Sequence, residues 1–147
     1  MYQNILVPTD GSEFSNRAVS TGAQLAHALG AKLLLLHVRS VIDVPHHVEG
    51  GALATLGASK IMQEIEDEER KLLDASIEIA ASNGTTAETA FLADETPYHG
   101  IIRTAREQHS DLIVMASHGR RGIAGLLIGS ETQKVLTHTT IPVLIVR

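Results

Sequence analysis

The apolar and polar positions of this chain fall into short segments that alternate between a strand-like and a helix-like period. Residues 3–7, Gln-Asn-Ile-Leu-Val, form a brief apolar run closed by Pro8, the pattern of a buried strand. Thr9-Asp10-Gly11-Ser12 then makes a turn, and Phe14, Ala18, Leu25 and Leu29 recur at helical spacing. This predicts an amphipathic helix over 13–29, capped by Ser12, favoured by Glu13 in its first turn and stopped by Gly30. A second continuous apolar run covers 32–38, and its length and flanks favour a central parallel strand. Residues 40–57 hold Pro45 and three glycines without a sustained period, so a long mobile loop is expected there.

The longest predicted helix covers 59–82, with Ile61, Ile65, Leu72 and Ile79 on one stripe and Asn83-Gly84 ending it. Its charge run, 64–71, reads as a solvated face, with a partner-binding surface as the alternative. Residues 86–92 alternate and are β-prone, which predicts a third strand nearer an edge. Thr96 is placed as an N-cap ahead of Pro97 at the first helical position, and Ile101, Ile102 and Ala105 form the apolar face that follows. A fourth strand is expected at 111–116, a helix at roughly 130–138 and a fifth strand at 142–146. Strict alternation of strand and helix calls for an α/β fold, joined by right-handed crossovers. The expected architecture is one domain over 1–147: an open parallel five-stranded sheet, order 3-2-1-4-5, with helices on both faces.

Composition narrows the function more than the fold. At 147 residues the chain buries a full core without disulfides or metals, and with 44% apolar but only 3% aromatic residues that core is aliphatic. A net charge of −5 without a basic block argues against nucleic acid or an anionic membrane as partner. The absence of cysteine excludes disulfides, thiolate metal sites and a cysteine nucleophile. No signal peptide is visible and no apolar run approaches the roughly 20 residues that span a bilayer, so a cytoplasmic location is expected.

In a doubly wound sheet, ligands bind beyond the carboxyl ends of the strands where strand order reverses. That places two loops across one crevice, Pro8-Thr9-Asp10-Gly11 after the first strand and residues 116–130 after the fourth. Asp10 is suited to ribose hydroxyls or a hydrated cation, and equally to forming the turn or capping the helix. Gly119, Gly122, Gly125 and Gly129 put four glycines into eleven residues, a spacing that lets backbone amides face a phosphate. Ser130 with Gln133 fits a capping box at the mouth of the following helix. Arg120 and Arg121 could reach phosphate oxygens or simply be solvated.

The P-loop, the dinucleotide fingerprint and the nucleophile elbow are all missing. Eight histidines raise a metal reading, but they lack an i, i+4 pair or a nearby carboxylate set, and adjacent His46 and His47 diverge. His37 ends the second strand, and His118 stands inside the glycine stretch as a loop-orienting or phosphate-side residue.

Residues 5–12, Ile-Leu-Val-Pro-Thr-Asp-Gly-Ser, together with Ser117-His-Gly-Arg, Gly129-Ser130 and the closing Pro-Val-Leu-Ile-Val of 142–146, resemble the universal stress proteins. The resemblance covers the whole chain and implies the Rossmann-like fold of the adenine-nucleotide α-hydrolase-like group. ATP-binding members carry Gly-x-x-Gly, nine residues, then Gly-[Ser/Thr]; the matching positions are Ala116, Gly119, Gly129 and Ser130. Alanine thus stands at the first glycine. A positive φ at Ala116, or a ligand against its methyl, would cost about 1 kcal/mol; a β conformation there makes it harmless. The resemblance implies that Pro8, Thr9 and Asp10 border the adenosine and that the Val38 backbone reads the adenine edge. It places the phosphates on Gly119, Gly129, Ser130 and Thr132, with Mg²⁺ or Mn²⁺ held through them. It also implies a homodimer joined through the last strand, 142–146, and an ATP- or AMP-binding stress or signalling protein without efficient catalysis. A slow ATPase and a nucleotide-free interaction protein of the same fold are the alternatives.

Overall fold

Strand and helix alternate in the order β1 (Asn4–Pro8), α1 (Glu13–Leu29), β2 (Lys32–Ser40), α2 (Ala52–Ser82), β3 (Ala87–Asp94), α3 (Pro97–Glu107), β4 (Leu112–Ala116), α4 (Ser130–His138) and β5 (Val143–Val146). This computed structural model describes residues 1–41, 52–118 and 128–147, the side chains of 52–56 excepted. His46, His47, Gly119, Arg120, Arg121, Gly122 and Gly125 therefore lie outside the described residues. The strands form one parallel sheet, as their alternation with helices predicts, and its order is the expected β3-β2-β1-β4-β5.

β1 is the middle strand and is covered on both faces, which is why its apolar run is continuous. Ile5 and Val7 join Leu33, Leu35, Leu112 and Val114 in a core beneath α1 and α2. Leu6 points the other way, into a second core with Leu36, Ile113, Ile101 and Val135 under α3 and α4. The sheet is thus a partition between two aliphatic layers.

The helices meet this partition through different residues than their largest side chains suggest. In α1 the buried stripe is Ser15, Ala18, Val19, Gly22, Ala23 and Ala26, whereas Phe14 is exposed. Small side chains let the helix axis come close to the sheet. At Gly22 the approach is tight enough that an added Cβ would stand 2.5 Å from Val7 Cγ2. Helix α2 begins at Ala52, so the loop expected over 40–57 is helical from residue 52 onward. Alanine and leucine there are strong helix formers, and Gly57 costs only about 1 kcal/mol within such a segment. Among its described side chains the buried positions are Glu69, Leu73, Ser76 and Ala80, one residue on from the predicted stripe. Ile61 is exposed, while Leu72 and Ile79 pack from the flank.

Helix α3 shows a second departure. Thr96 occupies the N-cap and Pro97 follows it, but the threonine side chain makes no cap bond. The Tyr98 amide instead donates to Glu131 Oε2 at 2.8 Å, so a carboxylate from α4 satisfies the start of α3. That bond ties the two helices on one face together.

The Gly22 contact gives a stability test. Gly22→Ala pushes a methyl into Val7, which has no free space, and overpacking of this kind costs about 1–3 kcal/mol. Thermal unfolding should show a Tm several degrees lower, although alanine is the better helix former. An unchanged or raised Tm would show that the helix backs away freely.

Candidate functional site

The sheet splits beyond β1, and the cause is a proline. Backbone groups along a strand alternate sides, and the Thr9 amide donates to Leu36 O of β2 at 2.8 Å. The nitrogen of Pro8, one residue earlier, therefore faces β4. It has no hydrogen to give, so the next ladder bond cannot form. Accordingly the β1–β4 register runs only through Ile5↔Leu112 and Leu6↔Ile113, whereas β1 stays paired with β2 up to Pro8↔Leu36. The gap lies where strand order reverses, at the carboxyl ends.

On one side of the gap, the turn after β1 is held by a chain of bonds. The Gly11 amide donates to Thr9 Oγ1 at 3.3 Å, and Thr9 Oγ1 lies 3.2 Å from Ser15 Oγ. Ser15 Oγ in turn donates to Ser12 O at 3.0 Å, so the proton between the two hydroxyls belongs to Thr9. Ser12 caps α1 as predicted, its side chain accepting from the Ser15 amide at 3.2 Å. Asp10 Oδ1 accepts from the Ser12 amide at 3.0 Å, which is the turn-forming role open to it from sequence. Gly11 takes φ 75°, the left-handed conformation the turn demands.

On the other side, β4 ends and α4 begins against its tip. Ala116 is the last strand residue, paired with Val146, and does not have a positive φ. Its methyl joins the core beneath α1 and α2. The Gly129 amide donates to Ser117 O at 2.6 Å, and Thr132 Oγ1 donates to Ala116 O at 2.9 Å. Both bonds fasten the first turn of α4 to the end of β4. The Thr132 hydroxyl, having given its proton to Ala116, cannot also donate to a phosphate; only its amide can.

Gly129, not Ser130, is the N-cap, and it provides no side-chain cap bond. This corrects the capping-box expectation for Ser130 and Gln133: Ser130 is already the first helical residue. The Gln133 amide makes the first helical bond, to Gly129 O at 2.9 Å. The amides of Ser130, Glu131 and Thr132 come before that bond and have no intrahelical acceptor. A Cβ on Gly129 would stand 3.1 Å from Ser117 O and 3.4 Å from His118 Cα. Glycine is needed there for the approach of helix to strand end. The Glu131 carboxylate is turned away to Tyr98 and to Lys134 Nζ, 2.8 Å off, which keeps its charge from cancelling the helix dipole.

The two sides meet where the Phe14 and His118 rings approach with centroids 5.9 Å apart. His118 Nδ1 lies 3.1 Å from Ser117 Oγ, within its own strand-end turn. Val38 lies further along β2, two residues past Leu36. Alternation therefore turns its amide and carbonyl toward the gap beyond the end of β1. The structure thus puts Pro8, Thr9, Asp10, Val38 and Ala116 at or just past the carboxyl halves of β1, β2 and β4, and Gly129, Ser130 and Thr132 at the start of α4. Sequence reasoning did not single out Glu131, whose only signal was an acidic residue in a first turn, nor the contact of His37 with Thr9.

Two carboxylates near the sheet ends are perturbed. Burial pushes Glu69 up, and Arg39, whose Nη1 is 3.4 Å from Glu69 Oε1, offsets this only in part. Burial also opposes the charge on Asp94, but the Thr96 amide, His99 and Arg103 outweigh it and hold its pKa below the ordinary range. A depressed folded-state pKa stabilises above the unfolded value and is lost as pH falls through the folded one. Asp94→Asn should thus flatten the loss of stability on acidification below about pH 4, measured as Tm against pH. An acid limb identical to that of the parent would remove Asp94 from the balance.

The strand-end bonds have their own test. Thr132→Val keeps the shape but leaves the Ala116 carbonyl without its donor, at a cost of about 1–3 kcal/mol. Urea unfolding should show that loss; equal midpoints would mean that the hydroxyl is not structural.

Comparison with known proteins bears on this arrangement as a whole. The model of the universal stress protein family matches residues 1–147. The universal stress protein YxiE of Bacillus subtilis is 34% identical over 158 aligned positions, covering all of both chains. The solved structure of MJ0577 superposes with a TM-score of 0.82 at 23% identity, covering 99% of this chain and 96% of that one. A universal stress protein solved in complex with cAMP superposes with a TM-score of 0.72 at 27% identity, covering 99% and 97%. Among the described residues, no helix is long and apolar enough to cross a membrane. A family match over the full length, on a sheet of the same architecture, establishes that this chain belongs to the universal stress protein family.

Proposed function

We propose that this protein binds an adenine nucleotide, ATP or AMP, in the gap beyond β1 and β4. It would act as a homodimeric stress or signalling protein without efficient catalysis. The observation that carries this reading is the start of α4: three successive amides without helical acceptors, at the positive end of a helix, fastened beside the strand-order reversal. Such a helix start suits a phosphate. The phosphates would lie on the amides of Ser130, Glu131 and Thr132, close against Gly129, whose own amide is held by Ser117, with Gly119, outside the described residues, completing the cradle.

The adenosine would then extend toward β2, with Pro8 and Thr9 below it and the Val38 backbone at the adenine edge. Asp10 would take a ribose hydroxyl, since a carboxylate accepts several hydrogen bonds at once. Ala116 does not oppose the ligand on this reading, because its conformation is extended and its methyl is in the core. No group of three or more His, Asp or Glu side chains converges among the described residues. Mg²⁺ or Mn²⁺ would bind mainly through phosphate oxygens, where it would neutralise their charge. The relative bound to cAMP supports an adenine ligand and makes the cyclic nucleotide a competitor to be tested.

The dimer rests on β5. It stands at the end of the sheet, pairs among the described residues only with β4, and leaves Leu144 exposed, an edge that a second copy would cover.

Denaturing the purified protein should release ATP or AMP, detected by mass spectrometry. Calorimetry on stripped protein should give micromolar binding of ATP with Mg²⁺, tighter than cAMP, and turnover slower than about once per second. Gly129→Ala should weaken ATP by about tenfold, by moving the α4 amides. Asp10→Ala should weaken ATP more than inorganic triphosphate. Heat absent at millimolar ATP, or both variants binding like the parent, would overturn the reading.

A further inference from the structure

We propose that His37 is a positioning residue for the nucleotide gap, setting the direction of the turn that carries Asp10. This inference rests on the reading above for its functional meaning, but its structural content can be tested without nucleotide. His37 is the first residue of β2 beyond the Pro8↔Leu36 pair that ends β1. Its side chain reaches back over that end, and Nδ1 lies 2.8 Å from Thr9 O.

A carbonyl oxygen only accepts, so Nδ1 must carry the hydrogen. The imidazole tautomer is therefore set by the backbone of a residue 28 positions away. The ring is itself held: Phe91 of β3 stacks against it with centroids 6.0 Å apart and an interplanar angle of 23°. Arg39 braces the Phe91 ring in turn, its guanidinium carbon 5.2 Å from the centroid. His37 and Arg39, two apart on β2, and Phe91, the β3 partner of His37, thus form a shelf on one face of the sheet that ends at Thr9.

The consequence lies in the geometry of the peptide unit. The Thr9 carbonyl and the Asp10 amide belong to one rigid plane. Leu36 O already accepts from the Thr9 amide at 2.8 Å, which fixes one side of Thr9 to β2. With His37 on the carbonyl, the plane after Thr9 is fixed as well, and so is the direction in which Asp10 leaves the strand. Without it the Thr9–Asp10 plane loses one of its restraints, and the side-chain bonds of the turn alone would have to hold its direction.

Side-chain geometry supplies the test. Asparagine places an amide N–H where imidazole has Nδ1, whereas glutamine places it nearer Nε2. In the ligand-free protein, backbone amide exchange at Asp10, Gly11 and Ser12 should quicken in His37→Gln and stay parental in His37→Asn. The imidazole ¹⁵N spectrum of the parent above neutral pH should show the proton on Nδ1. In calorimetry, His37→Gln should weaken ATP by about tenfold with inorganic triphosphate unaffected, and His37→Asn should restore most of the loss. A proton on Nε2, or parental exchange at Asp10 to Ser12 in His37→Gln, would overturn the inference. So would equal behaviour of the two variants. If the parent itself bound no nucleotide, the functional reading would fail while exchange and tautomer still decided the role of His37.

Discussion

A missing hydrogen on Pro8 shapes this molecule more than any single contact. The central strand keeps its bonds to β2 until it ends but loses β4 two residues earlier, because the nitrogen that should continue the ladder is tertiary. The sheet is therefore closed at its amino end and split at its carboxyl end. What fills the split follows in order. Thr132 of α4 donates to Ala116, the Gly129 amide donates to Ser117, and the first turn of α4 is thereby brought to the edge of the gap. The end of β1 at Pro8 leaves the backbone of Val38, two residues past the last β1–β2 pair, facing an opening instead of a partner strand.

The electrostatics are local and run against the overall charge. A chain of net charge −5 is a poor candidate for an anion site if charge is averaged over its surface. At the gap, however, both α1 and α4 present N-termini, and the acidic residue in the first turn of α4 is engaged elsewhere. Glu131 serves α3 and Lys134, so it binds two helices together without facing the helix start it belongs to. Such an arrangement lets an acidic protein offer backbone donors to a phosphate.

The helices show what residue periodicity alone overlooks. In α1 the spacing of Phe14, Ala18, Leu25 and Leu29 outlines the helix and finds Ala18, which is buried, and Leu25, which packs on the core. It counts the exposed Phe14, however, and passes over the other small residues of the buried stripe. The sheet demands small residues at the point of closest approach, and the larger ones are displaced to the rim. In α2 the absence of a sustained apolar period before residue 58 reads as a loop, yet the chain is helical from Ala52. Helical propensity is sufficient there, since a long helix continues beyond the turns that pack against the sheet. Caps were legible when donor and acceptor are sequence neighbours, as at Ser12, and were missed when the acceptor came from elsewhere, as with Glu131 at Tyr98.

By itself the sequence determined the alternation of elements, the parallel character of the sheet and the two candidate loops after its first and fourth strands. Each of these follows from local period, turn residues and the handedness of crossovers, which are properties of short segments. The glycine pattern and the opening Pro8-Thr9-Asp10 were likewise readable as a candidate site. Only the tertiary structure decided which neighbour Pro8 loses, where the Ala116 methyl goes and what the Thr132 hydroxyl binds. The same is true of Gly129, which is small for the sake of Ser117, and of the reach of His37 to Thr9. These are contacts between residues far apart in the chain, and their partners are set by the register of strands and the depth of helix packing, which no local pattern encodes.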